Sequence, residues 1–418
     1  MSDRPDLLII GGGVIGRCTA LFAAHRGLDV AVVDRGVHEE SASTGNAGMI
    51  VPSHIVPLAA PGVIAQGMKW LTRPDSPFFI KPRADRRLAR WLWLFKRHCT
   101  ADHVQRSVPI LRDLSLESRA LFDRICGAGH YADAGYCTDG LIMVHRSQKC
   151  ARDNEYLAET AAAAGLDAES LDAAGVEALA GAVPTGVRGG VLFRQDAHID
   201  PERFLGGLRG ECEELGVRFI DGANVEKLSI HDGRVDGVIA DGERLAADAV
   251  TVAAGAWTPE ILRTAGVDIP LQPAKGYSVT LGDCDRTPGV PMIVTDDKVT
   301  ITPLPDGVRF GGTLELAGFD ASRSEHRIRA ILAAADDYRP ETSGTTSMDE
   351  VWSGFRPASP DGLPFIGPAP GVENLYVATG HGMMGVTLGP ITGRLLADLI
   401  TGEAPSLDMS PFEPGRFS

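Results

Sequence analysis

Three glycines, Gly11, Gly13 and Gly16, stand in the frame Gly-x-Gly-x-x-Gly directly behind the apolar run Leu7-Leu8-Ile9-Ile10. A second apolar run, Val30-Ala31-Val32-Val33, closes on Asp34. Strand, glycine turn, helix and a second strand ending in a carboxylate form the arrangement that holds a dinucleotide pyrophosphate. The first glycine permits a tight turn, and the second admits phosphates close to the backbone. The third lets the helix pack onto the strand, so that its amide-rich N-terminus faces the anion. Asp34 stands where a carboxylate accepts hydrogen bonds from both hydroxyls of the adenosine ribose. Val14 and Ile15 at the helix start, and Arg35 beside the carboxylate, are assigned to the same site.

At 418 residues the chain exceeds one simple core, and two domains are expected. The spacing predicts a crossover helix from Val14 to Arg26, ended by Gly27, and strands at Val217 to Ile220, Ala249 to Ala253 and Leu375 to Thr379. Asp200 as N-cap, Pro201 at the first helical position and Glu202 in the first turn start another helix. Its core side is expected to carry Phe204, Leu205, Leu208, Cys212 and Leu215. A final helix is expected from Gly385 to Thr401, ended by Gly402. The nucleotide domain thus draws on the beginning, middle and end of the chain. The expected fold is α/β: a discontinuous Rossmann-like FAD-binding domain (1–50, 145–265 and 345–418) with an inserted α+β substrate domain on an antiparallel sheet (51–144 and 266–344). A nicotinamide dehydrogenase more often keeps its nucleotide half contiguous, so the expected cofactor is FAD.

A net charge of −15 argues against a nucleic-acid partner, because phosphate backbones need a basic face. The seven cysteines are scattered and none forms a Cys-x-x-Cys pair, so neither a metal site nor a disulfide framework is expected. With no charged-then-apolar leader and no run of 18 apolar residues, a cytoplasmic location is expected.

Four further segments carry candidate chemistry. Ser43-Thr44-Gly45-Asn46-Ala47-Gly48 is a loop of small residues able to lie against a flat ring or against phosphates. Thr251 to Trp257 runs a strand into Ala254 and Gly255, leaving room for a ligand at the sheet's carboxyl edge, and Val225 is assigned to the same cofactor. In Trp352-Ser353-Gly354-Phe355-Arg356-Pro357, Arg356 is held between an aromatic and a proline. A guanidinium so held grips a carboxylate through two parallel hydrogen bonds. Gly380-His381-Gly382-Met383-Met384 opens the final helix, whose positive end suits a developing anion, with His381 as a further donor.

These pieces resemble the D-amino-acid oxidase superfamily of FAD oxidoreductases, and most closely its bacterial D-amino-acid dehydrogenases. Besides the glycine frame and Asp34, the resemblance runs through Asn46-Ala47-Gly48, Ala59-Ala60-Pro61-Gly62-Val63 and Lys275-Gly276-Tyr277-Ser278-Val279-Thr280. It continues through Gly354-Phe355-Arg356-Pro357, Asp361-Gly362-Leu363-Pro364 and Thr379-Gly380-His381-Gly382. It implies that Arg356 holds the substrate carboxylate, with Tyr277 near the same group. His54 stands where the dehydrogenase loop has an aromatic hydroxyl, and Met383-Met384-Gly385-Val386 replaces Thr-Leu-Gly-Trp. Both are expected to border the substrate. The pattern Val51-Pro52-Ser53-His54 with the Met-Met pair looks closer to members handling D-proline or 4-hydroxy-D-proline.

The implied reaction is hydride transfer from the substrate Cα to flavin N5, giving an imino acid, with electrons passed on to a quinone or similar acceptor. Two alternatives stay open: a glycine or sarcosine oxidase releasing hydrogen peroxide, and a non-catalytic flavin subunit of a larger complex. Residues 67–98 hold nine basic residues (Lys69, Arg73, Lys81, Arg83, Arg86, Arg87, Arg90, Lys96, Arg97) against Asp75 and Asp85, together with Trp70, Trp91 and Trp93. Such a stretch either contacts the inner face of an anionic membrane or is a solvated face over core aromatics.

Overall fold

Six strands form the sheet that the glycine frame predicts, in a computed structural model that describes residues 4–36, 41–70, 78–127, 129–282, 287–338 and 351–418. Across the sheet they run Phe365–Pro368, Leu375–Thr379, Ala249–Val252, Leu7–Ile10, Val30–Asp34 and Arg218–Asp221. All are parallel except Phe365–Pro368. Leu7–Ile10 and Ala249–Val252 are buried along their whole length, as unbroken apolar runs in a parallel sheet should be.

One face is covered by the helices Val14–His25, Pro201–Glu214, Ala101–Cys126 and Gly385–Thr401. Gly393 lets the last of these touch the backbone of Cys18, where any Cβ would overlap. The antiparallel strands Val225–His231, Arg234–Ala240 and Glu243–Ala246 close the other face, packing Leu228 and Val238 onto Leu8 and Val33. Asp200 caps its helix as expected, accepting from the amides of Glu202 and Arg203, and Gly402 ends the final helix in the left-handed conformation. Leu215 departs from its core assignment. It is the C-cap residue beyond the last helical turn and is 41% exposed.

The second sheet has nine strands, and most of its pairings are antiparallel. In order these are Trp352–Ala358, Gln272–Leu281, Gly307–Leu316, Val299–Leu304, Met292–Val294, Leu141–His145, Gly189–Phe193 and Ala168–Asp172, with Phe78–Ile80 as the ninth, paired to Gly307–Leu316. The boundaries expected at 145 and 345 therefore need correction. Ala168–Asp172, Gly189–Phe193 and Trp352–Ala358 pair within the substrate-side sheet, not the cofactor sheet. A short strand carries no mark of which sheet it joins, and the chain leaves the second sheet only after Phe193 and again after Ala358.

Candidate active site

A cleft of about 380 Å³ opens at the carboxyl end of the parallel strands. Gly11, with φ of +112°, turns beneath it, and a Cβ there would lie 2.5 Å from the Ala253 carbonyl oxygen. Gly16 lies under the turn and does not line the cleft. Its Cα approaches the Gly11 carbonyl so closely that a Cβ would overlap it. Gly13, Val14 and Ile15 line the cleft at the helix start, where the Val14 amide donates to Ser43 Oγ at 3.0 Å. Asp34 accepts from the Gly12 amide at 2.6 Å and from the Gly36 amide at 2.7 Å, one on each oxygen, so each oxygen keeps a lone pair for a hydroxyl donor. Arg35 stacks over Trp257 at 3.9 Å on the rim, and Val225, Ala254 and Gly255 complete that wall.

His381 and Gly382 line the opposite end. His381 is 5% exposed and its Nε2 lies 3.0 Å from Thr392 Oγ1, while Nδ1 has no partner among the described residues. Burial pushes the imidazole down to about 3, so it is neutral. An amide-lined glycine turn, a carboxylate at the end of the second strand and an orphaned nitrogen on the wall fit a dinucleotide cofactor.

Several expected lining residues prove to shape the cleft from behind. In the loop from Ser43 to Gly48, Ser43 and Asn46 line it. The carbonyls of Thr44 and Asn46 accept from Arg309 at 2.9 and 2.7 Å, and the Gly45 carbonyl accepts from Ser278 Oγ at 2.9 Å. Gly45 sits against the Trp352 ring and Gly48 (φ +74°) against the Ile199 carbonyl, both too close for a Cβ, while Ala47 packs into the core. Gly380 (φ +82°) packs on Phe365, and Gly354 pairs with Gly276. Met383 is 53% exposed and Met384 packs in the core, so neither borders the cleft as expected. Both lie in the turn between His381 and the helix start at Gly385. Gly12, Phe355, Pro357 and the clamp Arg309 were not anticipated.

Arg356 stands between two lining residues, Phe355 and Pro357, without lining the cleft itself. On its strand it shares a face with Trp352 and, across the pairing, with Gly276 and Ser278, the face that packs on Gly45. Its guanidinium fills the space over Gly276, where any Cβ would overlap it. One nitrogen donates to the Thr313 carbonyl at 2.9 Å. Thr313 lies in the left-handed region (φ +69°), within the register shift between Lys275 and Tyr277 that frees this carbonyl from the ladder. No carboxylate of the described residues pairs with Arg356, and burial alone lowers its pKa to about 10, leaving it charged. Replacing Gly276 with alanine is therefore expected to displace the guanidinium and raise the substrate KM about tenfold or more. Flavin content should be unchanged, as the absorbance ratio of the purified protein would report. Loss of flavin instead would place the defect in the fold.

Tyr277 requires correction. It projects from the opposite face of the sheet, is fully buried, and its hydroxyl accepts from the Ser324 amide at 3.0 Å. With Lys275, whose ammonium donates to the Asp320 and Ser322 carbonyls, it pins the loop over that face. It does not reach a carboxylate held by Arg356. His54 lies outside the cleft lining, on the loop following Ile50, with Nδ1 3.2 Å from Ser53 Oγ and burial pushing it down to about 4.

The family profile described as FAD dependent oxidoreductase (DAO) matches residues 6–399. The chain is 35% identical over 427 residues to a D-amino acid dehydrogenase of Methylobacterium nodulans, covering 98% of this chain and 99% of that one. It is 34% identical over 413 residues to a D-amino acid dehydrogenase of Rhizobium johnstonii, covering 96% and 97%. Among solved structures it is similar in fold to glycine oxidase from Geobacillus kaustophilus, with a TM-score of 0.79 and 22% identity over the whole of both chains.

Proposed function

Because the chain belongs to the DAO family of FAD-dependent oxidoreductases, we propose that it dehydrogenates D-amino or cyclic imino acids, with D-proline and cis-4-hydroxy-D-proline as candidate substrates. The observation that carries this reading is Arg356, a half-buried guanidinium with one backbone acceptor and no acidic partner among the described residues. A substrate carboxylate supplies the missing acceptors as a bidentate pair. Bound FAD supplies the hydride acceptor for the substrate Cα–H. Arg356 fixes the acid group so that this hydrogen is oriented, and His381, neutral and with Nδ1 unpaired, offers a polar contact at the cleft wall. His54 and the Met383–Met384 pair, whose pattern suggests the cyclic substrates, all lie outside the cleft lining, so that part of the reading rests on the sequence pattern.

The test is anaerobic bleaching of the flavin spectrum by D-alanine, D-proline, cis-4-hydroxy-D-proline, D-arginine and glycine. Bleaching by glycine alone, with stoichiometric peroxide in air, would replace this reading by an oxidase; bleaching by none would end it.

We also propose that electrons leave to a quinone, with the enzyme on the inner membrane face. No helix among the described residues is long and apolar enough to cross a membrane. Part of the basic stretch is engaged within the protein: Lys81 pairs with Asp320, Arg83 with Asp85 and Arg90 with Asp268. Trp91 is core, donating to the Ala358 carbonyl. The side chains of Lys69, Trp70 and Arg73 lie outside the described residues. What supports the reading is the exposure of Ile64 and Met68 on helix Val63–Trp70 and of Trp93 beneath the Arg97 guanidinium. Co-sedimentation with anionic vesicles that is lost at high salt and weakened by Trp93→Ser and Met68→Ser is the expected result. Equal partition onto neutral vesicles would remove the electrostatic part of the proposal.

A further inference from the structure

Asp196, Ser53 and His54 form a chain of three polar groups that the reaction outlined above leaves unused. Asp196 is fully buried. It accepts from the Ser53 amide at 2.9 Å and faces Ser53 Oγ at 2.5 Å; the same Oγ lies 3.2 Å from His54 Nδ1. The loop that carries Ser53 and His54 is tied beside the cleft. The Val51 amide donates to Thr387 Oγ1, in the first turn of the helix whose Gly385 and Val386 line the cleft.

A serine hydroxyl has one proton to give. While Asp196 is ionised, that proton goes to the carboxylate and His54 Nδ1 must donate to Oγ, which leaves Nε2 with its lone pair. When Asp196 is protonated, it donates to Oγ, the hydroxyl turns to Nδ1, and Nε2 becomes an N–H. One proton on a buried acid thus decides which tautomer the histidine presents. We propose that Asp196, through Ser53, sets the tautomer of His54 and receives the proton that His54 takes from the substrate's ammonium group. This rests on the proposed function and requires a substrate seated beside the dinucleotide cleft, on the side of the loop tied to Thr387, because His54 does not line the cleft itself.

The step balances. One proton leaves the substrate nitrogen for Nε2 as the Nδ1 proton passes to Ser53 Oγ and the hydroxyl proton passes to Asp196. The substrate becomes the neutral amine required for hydride loss, Asp196 becomes a carboxylic acid, and no buried imidazolium is formed. Burial supports this division of labour, pushing the Asp196 carboxyl up to about 7 and the His54 imidazole down to about 4. Among the described residues, the charged group acting on Asp196 is Arg119 of helix Ala101–Cys126, itself paired with Asp123. His198, two residues along, is kept neutral by burial.

In the wild-type holoenzyme, kcat/KM for a D-amino acid is expected to rise as pH passes through about 7 and Asp196 ionises. Asp196→Asn and Ser53→Ala should lose that limb and fall by about 10²-fold near neutral pH. They should approach the wild type where the substrate arrives as free amine. A deficit of equal size at every pH means a structural role and overturns the proposal. Nitrogen-15 histidine NMR reads the same device without turnover, with His54 located by comparison with His54→Gln. The wild-type resonance should switch from Nδ1–H to Nε2–H on acidification through about 7 and stay in one form in Asp196→Asn. A single tautomer throughout in the wild type overturns the relay, whereas absence of wild-type turnover would overturn the substrate reading instead.

Discussion

Arg356→Ala is expected to lower kcat/KM toward D-amino acids by about two to four orders of magnitude, corresponding to roughly 3–5 kcal/mol for removing one partner of a buried charge pair. The guanidinium is held in place before substrate arrives: Gly276 provides the space, and the Thr313 carbonyl takes one of its protons. Its remaining donors have no carboxylate among the described residues, so their interaction energy is reserved for a ligand. Flavin content should survive, because Phe355 and Pro357 line the cleft and Arg356 does not. Arg356→Lys should recover little, since an ammonium group lacks the planar fork that matches both carboxylate oxygens. Near-normal kinetics with Arg356→Ala would dismiss the assignment, and parallel loss of flavin would move it from substrate binding to cofactor binding.

What the sequence made legible was local in the chain. The glycine turn, Asp34, the Asp200 cap and the Gly402 stop each depend on neighbours within a few residues, and each is where it was expected. The Arg356 motif was legible for the same reason, as a charge fixed between Phe355 and Pro357. What escaped depends on pairing between distant strands. Tyr277 and Gly276 are adjacent, yet the alternation of a strand sends them to opposite faces, and only the register against Trp352–Ala358 says which face holds Arg356. Arg309 clamps the Thr44 and Asn46 carbonyls from 265 and 263 residues along the sequence, and Asp196 reaches Ser53 across 143. No spacing rule links such pairs. Ala168–Asp172 and Gly189–Phe193 fall inside the range expected for the cofactor domain yet join the other sheet, because their pairing with each other and with Leu141–His145 leaves no local mark in the sequence.

The second large effect is expected at Gly16. In Gly16→Ala the new methyl group would overlap the Gly11 carbonyl oxygen, a backbone atom of the turn that holds the phosphates. Gly11 has no room to retreat, since it is already packed against the Ala253 carbonyl with φ of +112°. Relief therefore requires the helix Val14–His25 to lift from the sheet, which pulls its N-terminal amides from the cleft and opens its packing against Gly385–Thr401. Overpacking costs about 1–3 kcal/mol where side chains can adjust, and a fixed backbone clash should exceed that range. Gly13→Ala is the informative control. Among the described residues its Cβ would meet only Ser43 Oγ, at 3.1 Å, the end of a side chain that can give way at the cost of one hydrogen bond from the Val14 amide. Gly16→Ala should thus purify with little or no flavin and melt well below the wild type even with FAD added, while Gly13→Ala, which narrows only the approach of the phosphates, should melt close to the wild type. A Gly16→Ala protein with a full complement of flavin, or a Gly13→Ala protein that is the worse of the two, would show that the third glycine does not hold the helix onto the strand.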